Sequence, residues 1–174
     1  KSKLKNIQAD NNSSLILEKN KIELTKLVIS KFENNLDFTE ELKILQNLND
    51  QSKQHVFEKI NLIKLKNFRG NTFMKNIFSQ ELDFFLKENF NNNTSNFISK
   101  SLMKFVAIEP SKKNTIKDNE INVLNEVSAH LDKKNYKTSH EKIININNYE
   151  KYFSETINQI NIFIEFKELI KKVS

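Results

Sequence analysis

Gly70-Asn71-Thr72-Phe73-Met74-Lys75-Asn76-Ile77-Phe78-Ser79-Gln80-Glu81-Leu82-Asp83-Phe84-Phe85-Leu86-Lys87-Glu88-Asn89-Phe90 is the stretch on which the fold turns. Met74, Ile77, Phe78, Leu82, Phe85 and Leu86 recur at three- and four-residue spacing, the period of one helix face. The segment therefore predicts an amphipathic helix over Phe73–Phe90. Thr72 is placed to cap it, and Gly70 fits the position just past the preceding helix, where a left-handed backbone costs glycine least. Gly70 and Pro110 are the chain's one glycine and one proline. With the two strongest helix breakers so scarce, long stretches can run as helix.

Upstream, residues 1–13 are polar and lysine-rich, and read as a frayed end or the tail of an earlier helix. From Ser14 to Phe32, Leu17, Leu24, Leu27, Val28 and Phe32 share one face. Asp37 and Glu40 have the spacing of a capping box for a helix with Leu42, Leu45 and Leu48. Val56, Ile60 and Ile63 mark a third helix, ending near Phe68. Downstream, Thr94 or Ser95 opens a helix with Ile98, Leu102, Phe105 and Val106, which Pro110 closes. Three segments follow in 118–174: one with Ile121, Leu124, Val127 and Leu131, one over Tyr136–Ile146, and one over Tyr149–Val173. The expected architecture is all-α, an array of about seven to eight helices in antiparallel hairpins with a C-terminal three-helix unit. Its divisions are a polar extension 1–13, a helical region 14–109 and the unit 118–174.

Hydrophobic residues make up 37% of the chain, including 14 Phe, enough for a modest core. No apolar run approaches the roughly 20 residues of a membrane span. With no cysteine, disulfides, thiolate metal sites and cysteine nucleophiles are excluded. A net charge of +6 invites a polyanion. The abundance of Lys, Asn, Ile and Phe, residues of A/T-rich codons, is the plainer source of that charge.

The residues offer little chemistry. His55, His130 and His140 lack the i, i+4 spacing of a helical zinc site. Ser139, His140 and Glu141 are sequence neighbours and on a helix point in different directions, so they form no relay. A single glycine leaves no phosphate-cradling loop. The chain reads as non-enzymatic, without cofactor or metal. Two features suit binding: a basic stretch of Lys53, Lys59, Lys64, Lys66 and Arg69, continuing to Lys75, and the amphipathic helix that follows. Side by side they suit an anionic membrane surface, although the residues alone favour Phe78, Leu82 and Phe85 as core. No nucleic-acid recognition motif is present, and no nucleic-acid partner is expected.

The order of landmarks resembles the C-terminal region of the mitofilin family in its alphaproteobacterial form. Leu36-Asp37-Phe38-Thr39-Glu40-Glu41-Leu42-Lys43-Ile44-Leu45 stands where the family has an apolar-Phe-x-x-Glu-Leu-x-x-Leu element. Gly70, Thr72 and Met74-Lys75-Asn76-Ile77-Phe78 follow as its glycine, threonine turn and amphipathic helix. Leu102-Met103-Lys104-Phe105-Val106-Ala107-Ile108-Glu109-Pro110 occupies the place before its linker, and Lys134-Asn135-Tyr136 the place of a Gly-Asp-Leu. The chain departs from the pattern where the family has arginines near the linker and a tryptophan in the last helix.

The resemblance implies a membrane-shaping domain of a bacterial inner-membrane protein. It would lie on the periplasmic side with its anchor upstream of this chain. Lys75, Ile77, Phe78, Leu82 and Phe85 would be membrane-facing, with self-association or docking of a helical partner through the last helices. The alternative expectation is a helical protein-interaction module, a scaffold or secreted effector, that never meets lipid.

Overall fold

The structure, a computed structural model, describes residues 2–89 and 118–174, with side chains over 15–89 and 120–174. The described residues form eight α-helices and no strand. In chain order these are α1 (Ser2–Glu33), α2 (Thr39–Asn47), α3 (Gln54–Lys64, after a 3-10 turn Gln51–Lys53), α4 (Gly70–Asn89), α5 (Asp118–Asp132), α6 (Tyr136–Ile143), α7 (Tyr149–Tyr152) and α8 (Ser154–Ile170). The all-α expectation holds. The helix expected before Pro110, and Pro110 itself, lie outside the described residues.

Several boundaries differ from the sequence reading, each for a local reason. Residues 2–13 belong to α1 rather than forming a separate extension. Gly70 is the first residue of α4, and the left-handed position after α3 falls to Asn67 (φ 57°). The last segment is broken at Phe153, which leaves the helical region (φ −121°, ψ 26°) and divides α7 from α8. The capping box does not form: Phe38 precedes α2 and gives it no side-chain cap. Asp37 Oδ1 accepts the Thr39 amide at 3.1 Å, while Glu40 turns outward to Lys43 at 2.9 Å.

With one glycine available, the chain ends its helices on other residues. After α1, Asn35 takes φ 54°, Asn35 N donates to Phe32 O at 3.0 Å and Leu36 N to Lys31 O at 2.8 Å. After α5, Lys134 takes φ 57°, Lys134 N donates to Leu131 O at 3.1 Å and Asn135 N to His130 O at 2.8 Å. Both are Schellman endings, in which two amides beyond the helix satisfy its orphan carbonyls. Asparagine tolerates this region better than most residues because its short amide can bond locally. Lysine has no such compensation.

Two compact units result: Lys1–Gly70 with Glu165–Ser174, and Asn71–Ile164. The division falls at Gly70 and inside α8, not at the Pro110 linker, and it places α4 with the C-terminal helices. The reason lies in side chains. In the first unit Phe32 is stacked between Phe68 (ring centroids 4.5 Å) and Phe166 (3.8 Å), with Phe38 edge-on to Phe32 at 6.0 Å. Leu42, Leu45, Val56, Phe57, Ile60 and Ile63 complete this buried set. Asn49 Nδ2 donates to Val173 O at 3.1 Å and fixes the chain end there.

Gly70 closes the first unit under a steric limit. Its φ is +89°, and a Cβ there would lie 3.2 Å from Glu33 O and 3.3 Å from Asn35 Cβ. Gly70→Ala is expected to cost about 1–3 kcal/mol, the range for a non-glycine residue held at positive φ. Urea unfolding of the two proteins measures it, and an unchanged midpoint would refute the steric limit.

Candidate functional site

The amphipathic helix forms as the period requires, but its stripe is core. Met74, Phe78, Leu82, Phe85 and Leu86 are all buried, with Phe78 3% exposed. Phe153, fully buried at the break between α7 and α8, meets Phe78 and Phe85 with ring centroids 5.7 Å away in each case. Tyr152 stands edge-on to Phe85 at 5.0 Å. The assignment of Phe78, Leu82 and Phe85 to a membrane face is therefore corrected. A helical stripe is equally apolar whether lipid or protein covers it, and here protein covers it. Of the five residues, Ile77 is half-buried on the opposite edge of α4. Lys75, also half-buried, is ion-paired to Asp132 at 2.8 Å. Phe84, 47% exposed, has its ring 5.8 Å from that of Tyr152.

The basic stretch is likewise redistributed. Lys64 Nζ donates to Asp37 Oδ1 at 3.4 Å and to Thr39 Oγ1, and lies 4.9 Å from the centre of the Phe38 ring. Hydrogen bonds from Thr39, then the Lys64 charge, hold the Asp37 carboxyl below the usual range. Lys66 pairs with Glu165 at 2.6 Å. Arg69 is exposed but engaged within the chain. Lys53 and Lys59 make no ion pair among the described residues. The expected cationic surface is thus reduced, because carboxylates distant in sequence come to meet it.

Apolar side chains are left uncovered on α1 and α2, and also at the end of α3, where Leu62 and Leu65 are 60% and 80% exposed. From Leu15 to Leu24 no side chain of α1 is buried. Leu15, Ile16, Leu17 and Ile22 are 44–64% exposed. Only from Thr25 does the helix enter the core, through Val28 and Phe32. The face predicted from Leu17 to Phe32 is therefore divided: Val28 and Phe32 go inward, while Leu17 and Leu27 face out. Beside this row, Asn20, Glu23, Leu24 and Leu27 of α1 meet Ile44 and Leu48 in an open groove of about 440 Å³. Leu27 is 45% and Ile44 52% exposed. The sequence reading missed Ile16 and Ile44. Their signal, an apolar residue on the otherwise polar flank of an amphipathic helix, was present but carries no address.

No group of three or more metal-ligating side chains occurs among the described residues, and no described helix is long and apolar enough to cross a membrane. Ser139 is buried and donates to Asn135 O at 3.1 Å, a helix-start contact rather than part of a relay. No family model, curated protein or solved structure matches the chain.

Proposed function

We propose that the chain is the helical C-terminal region of a mitofilin-like protein of a bacterial inner membrane. It would act without catalysis, on the periplasmic side, by associating with other helices. The observation that carries this reading is the stretch 15–24 of α1, where Leu15, Ile16, Leu17 and Ile22 lie uncovered. At 1.5 Å per residue the 32-residue helix is about 48 Å long. A long helix whose described side chains enter the core only from Thr25 onward suits the end of a stalk. Its apolar row, joined by Ile44 and Leu48, suits a second helix rather than a small molecule. The landmark order of the sequence supports the family reading.

Membrane contact through the buried stripe of α4 does not belong to this proposal. A narrower contact through the half-buried Ile77 or the half-exposed Phe84 of that helix remains consistent with it. The rival, an interaction module that never meets lipid, uses the same α1–α2 surface. Sedimentation with liposomes of rising anionic content separates the two. A chain that stays in the supernatant at low salt favours the rival.

Association itself is tested by sedimentation equilibrium on the chain and on an Ile16→Asp/Leu27→Asp variant. Both residues are exposed, so the helical signal should be unchanged. The expected result is a concentration-dependent mass for the natural chain and a monomer for the variant. Equal masses at all concentrations would remove self-association through α1.

A further inference from the structure

We propose that the open groove beside α1 and α2 is filled by the uncovered stretch of α1 from a second copy of this chain, running antiparallel. Two copies thereby exchange arms about a two-fold axis at the level of Ile22. The proposal rests on the self-association reading above and adds the occupant and its direction. α2 turns back along α1: Lys31 Nζ meets Glu41 Oε1 at 2.6 Å, and Ile44 and Leu48 border the groove with Leu24 and Leu27. α2 stops at Asn47, and every residue of α1 from Leu15 to Asn20 is exposed. One helix thus carries an apolar groove along 20–27 and, on the turns before it, an uncovered apolar arm.

Spacing sets the direction. Leu17 and Leu24 stand one heptad apart, as do Asn20 and Leu27, so the four share one seam of α1. In an antiparallel pair centred at Ile22, Leu17 stands opposite Leu27 of the second copy, and Asn20 opposite its Leu24. The two-fold axis makes each contact twice. Leu17 and Leu27 are 44% and 45% exposed, so both have surface left to bury. Ile16 and Leu17 of one copy then enter the groove of the other, between its Leu27 and Ile44. A parallel pair sets arm against arm and groove against groove. It leaves the two grooves facing each other unfilled, against the close packing of buried apolar surfaces. Asn20 is the polar member of the seam, a place where such a residue fixes register at some cost in stability.

Charge agrees with this direction. Lys19 and Glu23 stand on one flank of the seam, a turn apart, both exposed and without an ion pair among the described residues. In the antiparallel pair that flank faces the same flank of the second copy. Lys19 comes within a turn of the second copy's Glu23, and Glu23 within a turn of its Lys19. A parallel pair sets the two at opposite edges of the seam, out of reach of each other. The two reciprocal ion pairs oppose the repulsion between chains that each carry +6. The order of apolar arm, lysine, glutamate and apolar groove is complementary to itself, which selects a second copy over an unrelated helix.

The chain has no cysteine, so single engineered thiols report the pairing directly. Leu17→Cys and Leu27→Cys are oxidised with copper–phenanthroline, alone and mixed, at a concentration where sedimentation shows the dimer. The mixture is expected to yield a disulfide-linked dimer on a non-reducing gel, and each variant alone is not. Two copies of either position lie about 15 Å apart along the axes, beyond the roughly 7 Å that a disulfide spans. Lys19→Glu should weaken the dimer about tenfold, although it lowers the charge repulsion between the chains, and adding Glu23→Lys should restore it. Self-linking of each single variant would identify a parallel pair and overturn the exchange of arms while leaving self-association intact. A dimer that links in none of the three samples, or a charge swap that restores nothing, overturns it too. A chain that stays monomeric at every concentration overturns both this inference and the self-association reading, and leaves the groove to a different helix.

Discussion

Phe78→Asp is expected to unfold the helices around α4 rather than to release them from a membrane. Phe78 is 3% exposed, against Phe153. Removing a buried phenylalanine side chain costs about 3–5 kcal/mol. An unpaired carboxylate in its place adds several more, because neither hydrogen bonds nor a cation await it. The sum is comparable to the whole stability of an ordinary domain, about 5–15 kcal/mol. Circular dichroism should show loss of the cooperative thermal transition, or the variant should be insoluble. Phe84→Asp, at a half-exposed site that loses only the ring contact with Tyr152 at 5.8 Å, should still fold and melt cooperatively, at a modestly lower temperature. The pair therefore separates a folding defect from a lipid-binding defect. A folded Phe78→Asp variant that no longer sediments with liposomes would restore the membrane face that the packing argues against.

Phe32→Ala should have the second-largest effect, and a localised one. Phe32 is sandwiched between Phe68 and Phe166, both ring pairs nearly parallel at 14° and 16°. Truncation removes burial worth about 3–5 kcal/mol, and each aromatic pair contributes about 0.5–1.5 kcal/mol beyond its area. The urea midpoint should fall sharply, with Phe32→Leu in between. Phe166 is the ring that ties the last residues to the first unit, so amides of 167–173 should lose exchange protection before those of α5. Equal loss in both places would mean that the two units unfold as one.

Much of the fold was legible because helical period is a strong signal. The inward residues of α2, α3 and α5, such as Leu45, Ile60 and Leu124, stand where three- and four-residue spacing places them, each 0% exposed. The candidate site was far less legible. Periodicity identifies an apolar face but not its occupant, so the stripe of α4 looked the same as core or as membrane contact. Charge runs mislead in a related way. Lys66 finds Glu165, separated by 99 positions, and no local reading anticipates that neutralisation. Glu81 meets the Glu155 and Thr156 amides only because α8 begins beside it, a contact no local pattern announces. The division inside α8 leaves no mark in a continuous helical pattern.

The left-handed helix ends carry one more consequence, and it concerns the unfolded chain. Asn35, Asn67, Lys134 and Asn148 all hold positive φ where glycine would do so freely. Each native conformation is dearer by about 1–2 kcal/mol for an ordinary L-residue, less for asparagine. Glycine in those places would have given the denatured ensemble more conformations to lose on folding, by about 0.5–1 kcal/mol each. Part of the local cost is thus offset before folding begins. A chain poor in glycine is stiffer when disordered, and this one starts its search for the native state with less entropy to surrender.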